Sequence, residues 1–146
     1  MAKPSLFGVD IPFVSLLGLE LVRMENGESE LQFLPKPEHF NSFAVAHGGA
    51  SMTLLDVTMA TAARSMDYEI GVVTIEMKTS FMQPCRGRLT CRGRIMHRTA
   101  TMAFTEATII DPDGKACAHA TGTFKYVKRL PTGPKSANGL NVISTD

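Results

Sequence analysis

Between Gly48 and Ala63 the chain carries one charged residue, Asp56, in a run that is otherwise almost entirely small or apolar. This stretch constrains the fold more than any other. Ala, Met and Leu favour helix, and the apolar positions cover nearly the whole circumference, so the spacing predicts a buried helix over about Gly48–Met66. A carboxylate in such a helix must be paired, reached by a solvated pocket, or protonated. The residues three and four positions away are Met52, Thr53, Met59 and Ala60, so no cation on the same helix face pairs with Asp56. Either a strand arginine or solvent takes up the charge, or Asp56 faces a cleft as a general base or nucleophile.

The flanking sequence reads as strands. Residues 18–34 hold two strand-like runs around Asn26-Gly27, a hairpin signal. A Pro-containing loop leads to the helix. Beyond it the period changes to two: Val73, Ile75, Met77 and Phe81 alternate with Thr74, Glu76, Lys78 and Ser80, and Leu89, Cys91 and Ile95 alternate with Arg88, Arg92 and Arg94. Residues 101–110 and 115–127 also read as strands, joined by the turn Asp111-Pro112-Asp113-Gly114. Short connections imply antiparallel neighbours, so the expected class is α+β: an antiparallel sheet with one long helix on one face. The expected divisions are an N-terminal arm over 1–14, one domain over 15–129, and an unstructured tail over 130–146, rich in Pro, Gly, Ser and Asn.

Composition removes several functions. No apolar run reaches the roughly 18 residues of a membrane span, and the N-terminus lacks the apolar core of a signal peptide. The three cysteines, Cys85, Cys91 and Cys117, are odd in number and lack metal-type spacing, so they read as reduced thiols of a cytoplasmic protein with no metal site. A net charge of +1 weighs against a nucleic-acid partner. The halves differ, however: residues 1–85 hold 5 Lys+Arg and 10 Asp+Glu, and residues 86–146 hold 10 and 4. That asymmetry marks either an anion site on the basic half or solvated strand edges.

His47-Gly48-Gly49 opens the helix. Two glycines admit close approach to the backbone, and the first helical N–H groups sit unpaired at the positive end of the helix dipole. A carbonyl placed there is polarised as in an oxyanion hole. Counted along a helix, the nine residues from His47 to Asp56 give a rise of about 13.5 Å and a rotation that puts them on roughly opposite faces. They cannot form one dyad within a chain. If both serve one substrate, a symmetric dimer with two interfacial sites must supply them.

At this point the motifs resemble a known family. His47-Gly48-Gly49 with an acid nine positions after the His, Asn41 six before it, the strand around Thr74, and the final hairpin with Arg98-Thr99 and Thr121-Gly122-Thr123 together resemble the hotdog-fold thioesterases, in particular the PaaI-like acyl-CoA branch. The resemblance covers about residues 15–128. It implies an antiparallel sheet wrapped around one central helix, and hydrolysis of an acyl- or aryl-CoA thioester.

By the same resemblance, Asp56 is the nucleophile or the base that activates water, and Gly49 N–H of the opposite subunit polarises the carbonyl. Asn41 and His47 orient substrate or water, and Thr74 assists Asp56. Candidate substrate or coenzyme A contacts are Gly48, Phe81, Arg86, Arg88, Arg98, Thr99 and Lys128, since cations suit phosphate. No cofactor beyond the coenzyme A of the substrate, no metal, no nucleic acid and no membrane partner is implied, and the oligomer is a dimer or a dimer of dimers. Phe43 and Val45 stand where many relatives have smaller residues and are expected to reshape the acyl pocket. Two rival readings fit less well. A hydratase or dehydratase wants an Asp and a His close together on one segment. A non-catalytic acyl-CoA sensor would be favoured by loss of the acid or by an attached DNA-binding segment.

Overall fold

The nearly uncharged stretch folds as one 17-residue helix, α2 (Gly48–Arg64), and the sheet is arranged around it. The computed structural model describes residues 10–128. A short helix α1 (Pro12–Leu17) leads into β1 (Glu20–Glu25) and β2 (Glu28–Phe33). A single 3₁₀ turn (Pro37–His39) precedes α2, and β3 (Gly71–Phe81), β4 (Leu89–Arg98), β5 (Met102–Ile110) and β6 (Ala116–Val127) follow. The strands form one antiparallel sheet in the order β1-β2-β4-β5-β6-β3. This is the hotdog arrangement expected from the sequence.

Leu54, Leu55 and Met59 of α2 are fully buried among Leu31, Phe33, Leu89 and Phe124 of the sheet. Each such side chain contributes about 1.5–3 kcal/mol. The helix lies close because the sheet has glycine under it. At Gly93 a Cβ would sit 3.0 Å from Thr58 Cγ2, and at Gly122 it would sit 3.0 Å from Met59 Cε. In the hairpin, Asn26 and Gly27 have φ of 53° and 78°, the pair of positive values that a tight two-residue turn demands. Gly27 N–H donates to Ser65 Oγ at 2.8 Å, tying the hairpin to the end of α2.

Three expectations change. First, α1 crosses the boundary placed between 14 and 15. Pro12 opens it, Gly18 closes it at φ 76°, and Val14 and Leu17 join the core. The tail expected over 130–146 lies outside the described residues. Second, β3 carries a bulge at Ile75. Thr74 stands opposite Phe124, yet Glu76 stands opposite Thr123. The extra residue shifts the alternation, so Val72 and Met77 both pack on the core and Thr74 faces the helix with them. The grouping of Val73 and Ile75 with Met77 and Phe81 therefore fails; Ile75 is 52% exposed. Third, much of the charge asymmetry resolves as cross-strand pairing. Arg88 meets Glu20 at 3.3 Å and Arg92 meets Glu30 at 2.8 Å, each joining the basic half to the acidic one.

Among the described residues β3 is an edge strand, paired only with β6. No described helix is long and apolar enough to cross a membrane.

Candidate active site

Asp56 lies on the part of α2 that faces β3, and the Thr74 hydroxyl donates to its Oδ1 at 2.7 Å. Thr74 reaches it because the bulge turns that side chain toward the helix. Among the described residues no cation forms an ion pair with Asp56. Burial pushes its carboxyl above the usual aspartate range, and the Thr74 hydrogen bond pulls partly against that. The arginine partner held open by the sequence is not there.

At the start of α2, His47 is the N-cap, with extended φ and ψ of −61° and 142°. It is outside the helix, so a rotation count cannot begin at it. Its Nδ1 accepts the Gly49 N–H at 2.8 Å. That corrects the expectation for Gly49: its donor is already occupied by the cap. Among the described residues neither Gly48 N–H nor Ala50 N–H has a partner. Of these two, Gly48 borders a cavity of about 450 Å³ shared with Asn41, Phe81 and Arg86. From Gly48 to Asp56 is eight residues, about 12 Å along the axis, so the two still cannot act on one carbonyl within one chain.

Four of the expected residues thus meet at this cavity. Asn41 Oδ1 accepts from Phe43 N–H at 2.8 Å and Val45 N–H at 3.4 Å, which shapes the loop and leaves its amide N–H groups without a partner among the described residues. Phe43 and Val45 both line the cavity. Arg86 stands exposed at its edge, with no ion pair among the described residues. Ser51, absent from the sequence-derived set, lines it too. A serine in an apolar helix reads as a small core residue, and only its position one turn after Gly48 hinted at the cavity.

The remaining candidates are elsewhere. Arg88 is engaged with Glu20 and Gln32 on the outer face of the sheet. Arg98 donates to the Tyr126 hydroxyl at 3.2 Å and lies over its ring, beside the C-terminal end of α2. Thr99 Oγ1 accepts from Thr101 and Met102 N–H within the β4–β5 turn. Lys128 is exposed at the end of β6. A second groove of similar size crosses the outer face, but the charges lining it are largely paired with one another: Arg23 with Glu28, Arg92 with Glu30, Arg94 with Glu106. Burial pushes the Cys91 and Cys117 thiols up to about 12, so both stay protonated.

The sheet wraps one long helix, and that helix carries a desolvated carboxylate. The thioesterase superfamily model matches residues 43–118, and the chain belongs to that family. It is a hydrolase acting on thioesters. A protein from Saccharolobus solfataricus assigned as an esterase is 30% identical over 120 residues, covering 82% of this chain and 85% of its own. A conserved protein from Pseudomonas aeruginosa superposes with a TM-score of 0.80 at 28% identity, over 85% of this chain and all of that one. The PaaI protein of the E. coli phenylacetic acid degradation operon shares the fold, with a TM-score of 0.76 at 19% identity over 81% and 86% of the two chains.

Proposed function

We propose that the chain is an acyl-CoA thioesterase working as a symmetric homodimer, in which Asp56 of one chain and Gly48 N–H of the other act on one thioester. The observation that carries this is the pair of anchors between α2 and β3. Asp56 is bonded to Thr74 near the start of the strand, and Gly48 abuts Phe81 at its end, where a Cβ would lie 3.6 Å from the ring. Among the described residues β3 pairs along one edge alone, with Ile75 and Phe81 on it and Met82 just beyond it exposed, and such an edge is a template for pairing. Two copies pairing antiparallel about a two-fold axis at Lys78 set Phe81 of one chain opposite the Thr74–Ile75 bulge of the other. Gly48 is thereby carried toward the second chain's Asp56.

In this reading the thioester oxygen accepts the Gly48 N–H, and charge developing on it is stabilised by the start of the helix. The Asp56 carboxylate attacks the carbonyl carbon or takes a proton from the attacking water. A thiol with a pKa of about 8.5 leaves as thiolate without an acid. Asn41 offers its amide N–H groups, Thr74 fixes Asp56, and His47 holds the helix start in shape through its cap. Of the proposed coenzyme A contacts, Arg86 is placed beside Gly48 and has no ion pair to give up among the described residues.

The test combines two variants in a thiol-release assay over short-chain, long-chain and aryl thioesters. Gly48→Pro removes only the N–H: proline suits the first helical position, and His47 already has the extended backbone that precedes proline. Asp56→Ala and Gly48→Pro chains should each be nearly inactive. Mixed and allowed to exchange, they should recover about a quarter of wild-type activity, since half the dimers are mixed and each of those carries one intact site. No recovery despite proven exchange would break the shared-site reading.

A further inference from the structure

None of the three cysteines has a part in the proposed hydrolysis, yet two of them touch. The Cys85 and Cys117 side chains are in hydrogen-bonding contact. The segment leading to Cys85 is clasped to β6, with Met82 and Gln83 N–H donating to Cys117 O at 2.9 and 3.2 Å. The two thiols differ in access. Cys85 is 5% exposed and borders the cavity beside Gly48, whereas Cys117 is fully buried and its Sγ donates to Ile109 O at 3.4 Å. Burial, and after it the Cys85 thiol, keeps Cys117 protonated. Cys91 is fully buried too, but its side chain is bonded to Thr58. One thiol open to a cavity, with a second in contact behind it, is the arrangement of an oxidisable pair.

Cys85 is also tied to the start of α2. Its carbonyl accepts the Ala46 N–H at 3.2 Å, and Ala46 directly precedes His47, the cap of that helix. We propose that Cys85 and Cys117 form a reversible disulfide under peroxide, and that the bond shuts the neighbouring site down by drawing Cys85 away from Ala46 and the cavity wall. In the first step Cys85 loses its proton and takes one peroxide oxygen, giving a sulfenic acid, and the other oxygen leaves as water. The Cys117 sulfur then attacks the Cys85 sulfur. The S–S bond forms as the S–O bond breaks, and the hydroxyl leaves with the Cys117 proton as water. Two thiols thus lose two electrons in all, and one peroxide becomes two waters. Because Cys117 keeps its proton in the reduced chain, the pair closes only after Cys85 has been oxidised. The thiol pair is independent of the reaction catalysed; its effect on hydrolysis rests on the thioesterase reading.

Trypsin puts each cysteine on its own peptide, 79–86, 89–92 and 116–125, so the pairing can be read directly. After peroxide treatment, denaturation and alkylation, the chain should carry one alkyl group, on Cys91, where the reduced chain carries three. Peptides 79–86 and 116–125 should run as one linked mass that dithiothreitol separates. Hydrolysis of the thioester panel, followed by chromatography of the acid product, should fall roughly tenfold or more in step with the linked fraction, since small displacements at a reacting centre cost that much. It should return on reduction. Cys117→Ala, which lies outside the cavity, should start with ordinary activity and give no linked peptide, while Cys91→Ala should still give it. Three alkyl groups retained after peroxide, or a link from Cys85 to Cys91, overturns the pair. A complete link that leaves hydrolysis unchanged overturns the switch. The thioesterase reading fails differently: a reduced chain that hydrolyses no thioester, while the linked peptide still forms.

Discussion

Two carboxylates on this molecule have opposite surroundings. Glu106, on the outer face of the sheet, is flanked by Arg94 and by His119 Nε2 at 3.1 Å; the His119 hydrogen bond, ahead of Arg94, holds its carboxyl below the usual range. Asp56, on the helix, has one neutral hydroxyl for company, and burial drives its carboxyl the other way. The outer face pairs several of its charges across neighbouring strands, as sheets commonly do. Between Gly48 and Ala63 the helix carries one charge, Asp56, and among the described residues no cation forms an ion pair with it. Arg23, Arg88, Arg92 and Arg94 are held in ion pairs elsewhere.

The difference should be largest in turnover. Asp56→Asn keeps shape and the Thr74 contact but removes the charge, and on the proposed mechanism kcat should fall by roughly 10²–10⁴. Glu106→Gln removes an equally charged group and should leave kcat within about twofold, because surface pairs of this kind contribute little. Steady-state thiol release on both proteins measures it. Comparable losses in the two variants would mean that isolation of the carboxylate is not what matters.

A smaller effect probes the single hydroxyl. Thr74→Val deletes the bond that pulls the Asp56 carboxyl back toward its usual range. Turnover near neutral pH should fall roughly tenfold, and the acid limb of the rate profile should move to higher pH. Thr74→Ser keeps the hydroxyl and should restore both. An acid limb that stays in place in Thr74→Val would separate Thr74 from Asp56.

Much of this was legible in the sequence, and the losses have physical causes. The helix and the hairpin follow from periodicity and turn residues, and short turns foretell the neighbours β4, β5 and β6; β3, expected beside β4, pairs with β6 instead. Asp56 stood out because burial makes a lone carboxylate costly. Thr74 was named from resemblance, yet strict alternation put it on the wrong side of β3; a bulge adds one residue without any composition signal. Gly49 was preferred to Gly48 because both are helix-opening glycines. Which N–H the His47 ring takes depends on the cap backbone, not on residue type. Arg88 and Arg98 looked available for phosphate because the cross-strand contacts to Glu20 and Tyr126 join residues far apart in sequence.

The smallest effects carry opposite signs and test the comparison without an assay. Glu106 has a lowered folded pKa, so its stabilising contribution is present above the ordinary glutamate range and disappears as pH falls through the folded value. Asp56 has a raised folded pKa, so its ionisation opposes folding; that cost is absent in acid, grows as pH rises past the ordinary aspartate range, and is complete above the raised value. At pH 7, Glu106→Gln should therefore lower the thermal midpoint and Asp56→Asn should raise it, each by no more than about 1 kcal/mol of stability for these partly exposed groups. Both differences should close as the pH drops below the carboxylate range. Midpoints followed by circular dichroism across that range decide it. If Asp56→Asn lowers the midpoint at pH 7, the carboxylate has a stabilising partner in solution, and the contrast with Glu106 collapses.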